Sequence, residues 1–346
     1  MKAVSVCLLA LGVWLQPQSD PQAWTPAARR DALARAVIWQ PPPVPIESAD
    51  LTTTPGGLPD DVHCRFEVDR LGGMTPKFEC RLRGGEVVKV KYAGAEPYGE
   101  VAATRLLRAL GFGADRVDMV RRVRCYGCPR FPFPVMKAVQ LVGAERLFEK
   151  GLDFDSAIDF EWVAIERKHA DEAIETDDTR GWAFHELVEA PTASPTHRDA
   201  LVLMAVFLAH WDNKAENQRL LCLGGRRLRD GRCARPLAML QDVGGTFGPR
   251  KTDLSGWQEA PIWRDRASCT VTMASLPHGG ATFVDTRISE RGRRFLAERL
   301  ARVSASQAEG LFRSARFDRH DGSIPDWVAA FRQRVAAIAG GPACPQ

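Results

Sequence analysis

The 346-residue sequence lacks the features that mark fibrous, disordered and strongly basic proteins. Its 29 glycines and 23 prolines follow no fixed period, and no heptad pattern is sustained, which excludes collagen and coiled coil. Lysines and arginines (47) nearly balance aspartates and glutamates (43), so we expect no nucleic-acid partner. The remaining composition, 45% hydrophobic and 26% charged, is that of a globular protein with a sizeable core.

Long apolar runs are also scarce. Beyond the first residues, no segment reaches the roughly 18 apolar residues that a membrane-spanning helix needs, so we expect no transmembrane segment in the mature chain. At the N-terminus, Lys2 precedes an apolar run over residues 3–15, and Pro17 and the small residue Ala23 follow. This pattern is typical of a signal peptide, and it predicts that residues 1–23 are removed on export to the periplasm or the extracellular space.

The cysteines support the same interpretation. Removal of the leader takes Cys7 with it and leaves an even set of eight: Cys64, Cys80, Cys125, Cys128, Cys222, Cys233, Cys269 and Cys344. In an exported chain an even set predicts disulfides. Cys222 and Cys233 flank a segment rich in turn-forming residues, so we expect a bridge across a hairpin. Cys125 and Cys128 lack the second ligand pair of a zinc site, and prolines follow them, so we expect either a local bridge or two separate bridges.

Three segments follow the leader. Residues 24–62 are proline-rich, contain one helical stretch at 26–39, and are predicted to form an N-terminal extension. Residues 63–190 have mainly strand character, with three antiparallel strands expected between Phe66 and Tyr92 and one helix at 99–110. Further strands are expected at 117–124, 135–142 and 160–165.

Residues 191–340 have mainly helical spacing. Two short apolar runs, at 220–223 and 237–240, interrupt this pattern after the first helix. Helices are expected at 199–210, 287–303, 305–313 and 325–338. The predicted fold class is therefore α+β, with a β-rich first part that contains one important helix and a mainly helical second part.

The residues after the first of these helices form a recognisable motif. Residues 210–217 have the sequence HWDNKAEN, and two short strands separate them from QDVGGTFG at residues 241–248. This order resembles the H-R-D-x-K-x-x-N loop and the D-F-G-type turn of protein kinases. The resemblance implies that Asp212 accepts the proton of an acceptor hydroxyl and that Lys214 faces the transferred phosphate. It also implies ligands for Mg²⁺ or Mn²⁺, namely Asn217 and Asp242.

Upstream residues extend the resemblance. The strand with sequence VKVKY resembles V-A-I-K, and the next helix begins near Glu100, so Lys91 and Glu100 match the lysine and glutamate that position the nucleotide phosphates. Lys89 lies on the same strand face and stays a candidate. Glu96 precedes Pro97 and is expected to lie before the helix, which makes it the weaker alternative to Glu100.

Residues 63–320 thus resemble the protein-kinase-like superfamily. The resemblance is stronger to its atypical secreted and bacterial branches than to ordinary kinases. Those branches include HipA-like kinases, phosphatidylinositol kinases, four-jointed-related secretory kinases and spore-coat-H kinases. The resemblance implies a two-lobed fold, with residues 63–190 and 191–340 as the lobes. The chain departs from the usual pattern in lacking G-x-G-x-x-G, and Gly72 and Gly73 are the candidates for the turn that covers the phosphates.

The expected function is that of an exported, disulfide-stabilised kinase. It would use Mg²⁺ or Mn²⁺ and ATP, or another nucleoside triphosphate, to phosphorylate a hydroxyl group on a protein, a lipid or a small molecule. The alternative is a pseudokinase that acts as a binding or scaffold module, with or without a nucleotide. A third hypothesis is the transfer of AMP instead of the γ-phosphate. The residues specify neither the acceptor nor the oligomeric state.

Overall fold

The structure is a computed structural model that describes residues 23–192 and 194–345. Strands dominate the first part of the chain and helices dominate the last part, so the predicted mixed α and β composition is confirmed. The predicted signal peptide, apart from Ala23, lies outside the described residues, and its removal stays a prediction. No helix in the described ranges has the length and apolar character needed to cross a membrane.

The first part of the chain contains most of the longer strands. Its elements, in chain order, are α1 (Pro26–Arg35), β1 (Asp61–Glu67), β2 (Lys77–Leu82), β3 (Val87–Lys91), α2 (Glu96–Ala109), β4 (Arg116–Tyr126), α3 (Pro132–Val142), α4 (Glu145–Lys150), β5 (Ala157–Arg167) and β6 (Glu172–Ala173).

The second part contains the helical core. Its elements are α5 (Phe184–Glu189), α6 (Pro195–Leu208), β7 (Gln218–Cys222), β8 (Pro236–Leu240), α7 (Leu254–Glu259), β9 (Trp263–Asp265), β10 (Thr270–Val271), β11 (Thr286–Arg287), α8 (Glu290–Ala301), α9 (Ala305–Ser314) and α10 (Ile324–Ala339).

Five of the strands form a closed group in the order β1-β2-β3-β5-β4. The pairing is antiparallel except between β1 and β4, whose parallel pairing closes the group. The sequence predicts the antiparallel β1–β3 segment but not this closure, because a parallel pair joins strands that are distant in the chain. The register places Lys77 opposite Lys91 and Lys89 opposite Glu166.

Two local predictions in this part are wrong. The strand expected at 135–142 is the helix α3, because an apolar run of this length fits either element. Prolines are tolerated in the first turn of a helix, and Gly143 ends α3 in the left-handed conformation (φ 66°). Glu96 does not lie before α2 but is its first residue, since Pro97 is compatible with the first helical turn.

The N-terminal extension is packed against the rest of the molecule. Its residues Trp24, Leu33 and Ile46 are buried in the larger hydrophobic core, together with the C-terminal helices. The guanidinium of Arg29 donates hydrogen bonds to the carbonyl of Gly181 and to the carboxylate of Glu186. The boundaries between the extension and the predicted lobes stay predictions.

Helix α6 lies at the centre of the helical part. Nearly all its residues from Asp199 to Leu208 are buried, and the helix packs against α8. It ends at Ala209, which adopts the left-handed conformation (φ 52°). Immediately beyond that end lies the loop that begins with His210, so a buried helix positions this loop.

The eight cysteines in the described ranges lie at disulfide distance in four pairs: Cys64–Cys80, Cys125–Cys128, Cys222–Cys233 and Cys269–Cys344. The second pair is the local CxxC bridge, and the third joins the last residue of β7 to the segment just before β8. The one cluster of three metal-ligating side chains found in the described residues is Cys64, Cys80 and Cys125, whose sulfurs belong to two of these pairs.

Candidate functional site

Two loops, one after α6 and one after β8, meet at the candidate site. The backbone N–H of Trp211 donates to the carbonyl of Gly245 at 3.1 Å, and the N–H of Gln241 donates to the carbonyl of Asn217 at 2.9 Å. These hydrogen bonds connect the two motifs that the sequence predicts to act together. Their side chains are therefore held by main-chain contacts between the loops.

Glycines allow the loops to approach this closely. A Cβ atom at Gly245 would lie 2.7 Å from the Cβ of Asp212, and one at Gly244 would lie 2.1 Å from the Cγ of Glu96. Neither distance is possible for a real side chain without movement of the neighbouring segment. The two glycines after Asp242 thus bring its loop against both the Asp212 loop and the start of α2.

Lys91, on β3, lies at the centre of the site and is completely buried. Its Nζ is 2.7 and 2.6 Å from the two carboxylate oxygens of Glu100 on α2, and 2.8 Å from Oδ1 of Asp242. Glu166 and Glu96 lie farther from it, at 3.4 and 3.8 Å. Lys91, and not Lys89, is therefore the lysine that forms the ion pair with Glu100.

Burial and charge act in opposite directions on these groups. Burial alone would lower the pKa of Lys91, but the carboxylates of Asp242, Glu100 and Glu166 raise it well above its ordinary value. Burial would raise the pKa of Asp242, and the ammonium groups of Lys91 and Lys89 hold it below the ordinary value instead. Burial raises the pKa of Glu100, against the opposing effect of Lys91. Lys91 and Asp242 thus form a charged pair.

Lys89 has a different partner. Its Nζ lies 2.9 Å from both carboxylate oxygens of Glu166, a fully buried residue of β5. Glu166 is not among the predicted site residues. Its position directly after the apolar run at 160–165 does indicate a charged residue at the end of a buried strand. Its pairing with Lys89 depends on the register of β3 and β5, which the sequence does not specify.

The other side of the site carries the predicted base and metal ligands. Asp212 Oδ1 is 3.1 Å from Nζ of Lys214, and both side chains are partly exposed. The amide nitrogen of Asn217 donates to the backbone carbonyl of Asp212 at 2.6 Å.

Three side-chain oxygen atoms of the site are candidate ligands for a metal ion. Within the described part of the chain, one carboxylate oxygen of Asp212, one of Asp242 and the amide oxygen of Asn217 accept no protein hydrogen bond. Carboxylate and amide oxygens are the ligands that Mg²⁺ and Mn²⁺ prefer, so the donor chemistry fits such a metal.

Polar residues that the motif comparison did not assign hold the loop in place. His210 is completely buried, and its Nε2 lies 3.5 Å from Oε1 of Gln218. The side-chain oxygen of Asn213 accepts from the backbone N–H groups of Thr282 and Phe283, each at 2.8 Å. Asn213 therefore anchors the segment before β11 to the loop that carries Asp212.

The turn between β1 and β2 lies close to the same site. Gly73 in this turn is left-handed (φ 66°), and a Cβ atom there would lie 3.2 Å from Nζ of Lys77. Thr75 donates a hydrogen bond to Glu96, which also forms an ion pair with Lys251. These contacts connect the turn after β1 to the start of α2. Lys77 belongs to none of the kinase-like motifs that the sequence contains.

Comparisons with known proteins add little to this geometry. No protein-family profile and no curated protein sequence matches the chain. The crystal structure of the Helicobacter pylori proinflammatory kinase CtkA aligns with 78% of this chain and 91% of its own, at 11% identity and a TM-score of 0.44. The pseudokinase DRIK1 (drought responsive inactive kinase 1) bound to ENMD-2076 aligns with 79% of this chain and 91% of its own, at 11% identity and a TM-score of 0.20. At such scores, a functional proposal must rest on the chain's own residues.

Proposed function

We propose that this chain is a kinase-like phosphotransferase of the atypical branch, acting on a hydroxyl group with a nucleoside triphosphate and Mg²⁺ or Mn²⁺. The observation that carries the proposal is the position of Lys91, whose ammonium contacts Glu100 on α2 and Asp242 after β8 at 2.6–2.8 Å. Two consecutive elements, β3 and α2, and the distant loop after β8 thus supply the lysine, the glutamate and the acidic turn in the order of the kinase motifs.

The remaining residues have distinct proposed roles. Asn217 and Asp242 would hold the metal, which when bound neutralises charge on the phosphates. Asp212, which is partly exposed, would accept the proton of the acceptor hydroxyl. Lys214 lies 3.1 Å from Asp212 and would supply positive charge beside the transferred phosphate. Gly72 and Gly73 are proposed to lie over the phosphates.

Export is part of the proposal. Four cysteine pairs at disulfide distance suit an oxidising compartment, such as the periplasm or the extracellular space. Bridges of this kind are uncommon in the cytosol. Sequencing the N-terminus of the exported protein tests this point, and an intact Met1 in soluble cytosolic material would contradict it.

The functional experiment distinguishes the proposed roles of Asp212 and Asp242. Three proteins are compared: wild type, Asp212→Asn and Asp242→Asn. Calorimetry measures their affinity for Mg·ATP. A transfer assay with radiolabelled γ-phosphate measures their activity, and mass analysis identifies the products. Asp242→Asn should weaken Mg²⁺-dependent nucleotide binding. Asp212→Asn should keep most of the nucleotide affinity and lower transfer about 10²-fold or more, the usual effect of removing a positioned base. The exposed Asp178 provides the control variant Asp178→Asn, which should change neither.

If the Asp212→Asn and Asp242→Asn variants both bind nucleotide and transfer phosphate like wild type, the proposed roles of Asp212 as the base and of Asp242 as a metal ligand are wrong. The predicted export and the lack of a G-x-G-x-x-G turn favour the pseudokinase alternative. Nucleotide binding without transfer, or neither, would support the alternative, and a product carrying AMP would support the third hypothesis.

A further inference from the structure

Lys77 is a largely buried lysine whose ammonium has no partner among the described residues. It lies on β2 directly opposite Lys91 of β3, and only 7% of its surface is exposed. Among the described residues, no carboxylate oxygen lies within 4.0 Å of its ammonium, and no hydrogen bond involves it. The ammonium keeps some contact with solvent, since it is not one of the fully buried polar atoms without a partner in the described residues. An ammonium in such a largely buried position, without a counter-ion, is suited to binding an anion.

The neighbouring lysines differ from Lys77 in this respect. The ammonium of Lys91 has three donor hydrogens, and the two oxygens of Glu100 and one of Asp242 lie at hydrogen-bonding distance from it. The ammonium of Lys89 contacts both oxygens of Glu166. Lys91 therefore has no donor left for a ligand in this arrangement, whereas Lys77 has all of its donors available.

The surroundings of Lys77 are suited to an anion. Gly73 lies above its ammonium, where a Cβ atom would come within 3.2 Å of Nζ, and Gly72 has open space on its side-chain face. Burial lowers the pKa of Lys77, with Asp242 opposing that effect and Lys89 and Lys91 adding to it. The ammonium thus lies between a glycine turn and the predicted metal aspartate, with two more cations near it.

We infer that Lys77 donates hydrogen bonds to the phosphate groups of the bound nucleotide, beneath the Gly72–Gly73 turn. This inference rests on the proposed function for the identity of the ligand. It assigns phosphate binding to a lysine on β2, while Lys91 acts mainly as the group that holds Glu100 and Asp242 together.

The test uses Lys77→Met, which keeps the length of the side chain and removes its charge. Calorimetric titrations compare wild type and variant for three probes: Mg·ADP, inorganic pyrophosphate and adenosine. The affinity for Mg·ADP and for pyrophosphate should fall about 10-fold or more, as for the loss of a charge-assisted hydrogen bond. The affinity for adenosine should not change. The exposed Lys150 provides the control variant Lys150→Met, which should bind all three probes like wild type.

A second measurement separates a binding role from a structural one. Because Lys77 has no partner, its replacement by methionine should leave the thermal unfolding midpoint unchanged or raise it. A lowered midpoint with equal losses for adenosine and ADP would show a structural role and overturn the inference.

The outcomes also distinguish the inference from the proposed function. Wild-type ADP affinity in Lys77→Met would overturn the inference and leave the kinase proposal intact. Pyrophosphate binding that needs Lys77, in a protein that binds no nucleotide, would keep the anion site and end the kinase proposal. Wild-type protein that binds none of the three probes would overturn both.

Discussion

Lys91 at the candidate site and Arg334 among the C-terminal helices are both almost completely buried, and the molecule compensates their charges differently. Lys91 is surrounded by carboxylates from α2, β5 and the loop after β8. Arg334, on α10, donates instead to backbone carbonyls, those of Phe207 at 3.1 Å, Val206 at 2.9 Å, and Trp257 and Ala260 at 2.7 Å.

The difference indicates at which of the two sites the partners of the buried cation can be exchanged. Backbone carbonyls neither titrate nor move freely, so Arg334 permanently ties the end of α6 to α7 and α10. Burial lowers the pKa of Arg334 to about 9, which keeps it charged at neutral pH. Carboxylates can exchange a lysine for a metal or a proton, so the Lys91 cluster is suited to binding and Arg334 to stability.

The largest expected effect comes from removing Arg334. Arg334→Met should lower the free energy of unfolding by about 3–5 kcal/mol, because four backbone carbonyls lose a charge-assisted hydrogen bond in the interior. Urea denaturation at neutral pH measures this. Arg332, less buried and on the same helix, provides the control Arg332→Met, which should cost about 0.5 kcal/mol or less. Similar losses in both variants would contradict the structural role of Arg334.

An intermediate effect is expected from the Cys222–Cys233 bridge, which joins the strands between the Asp212 loop and the Asp242 loop. The double variant Cys222→Ala/Cys233→Ala opens a loop with a sequence separation of 11 and should lose roughly 2–3 kcal/mol of stability.

The Cys125–Cys128 pair, with a separation of 3, provides the matched comparison, and its double alanine variant should lose roughly 1–2 kcal/mol. Thermal and urea unfolding measure both losses, and non-reducing peptide mapping checks the pairing. Free thiols at Cys222 and Cys233 in the mapped wild type would contradict the bridge.

The smallest expected effect is the contribution of the Lys91 cluster to the pH dependence of stability. Burial alone would raise the pKa of Glu166, but Lys89 and Lys91 lower it to about 2, below its ordinary value of 4.5. The unfolded chain then binds the proton first, so this stabilisation is present above about pH 4.5 and is lost as the pH falls towards 2. The carbonyls around Arg334 do not titrate in this range.

Unfolding free energies measured between pH 5 and pH 3 test the assignment. Glu166→Gln should lose less stability over that interval than wild type, by a difference on the order of 1 kcal/mol. The exposed Glu149 provides the control Glu149→Gln, which should follow wild type. An unchanged acid dependence in Glu166→Gln would show that other carboxylates carry it.

Local sequence patterns predict a large part of this structure. The sequence predicts α6, α8, α9 and α10 to within a few residues, because α8, α9 and α10 bury apolar residues at helical spacing and α6 is a continuous apolar run of helical length. The pattern fails at residues 135–142, where a short apolar run is equally suited to a strand and prolines at its start obscure the helix α3. Closure of the strand group by β1 and β4 is not predicted either, since no local pattern specifies a parallel pairing.

At the candidate site, the sequence by itself determined the order of Lys91, Glu100, Asp212, Asn217 and Asp242, and the glycines that allow two loops to meet. Only the tertiary structure decided which lysine pairs with Glu100, that Glu166 neutralises Lys89, and that Lys77 is largely buried with no partner in the described part of the chain. The physical reason is that motif spacing and turn chemistry act between neighbours in the chain. The environment of a buried charge depends instead on strand register and packing between residues such as Lys91 and Asp242, which lie 151 positions apart.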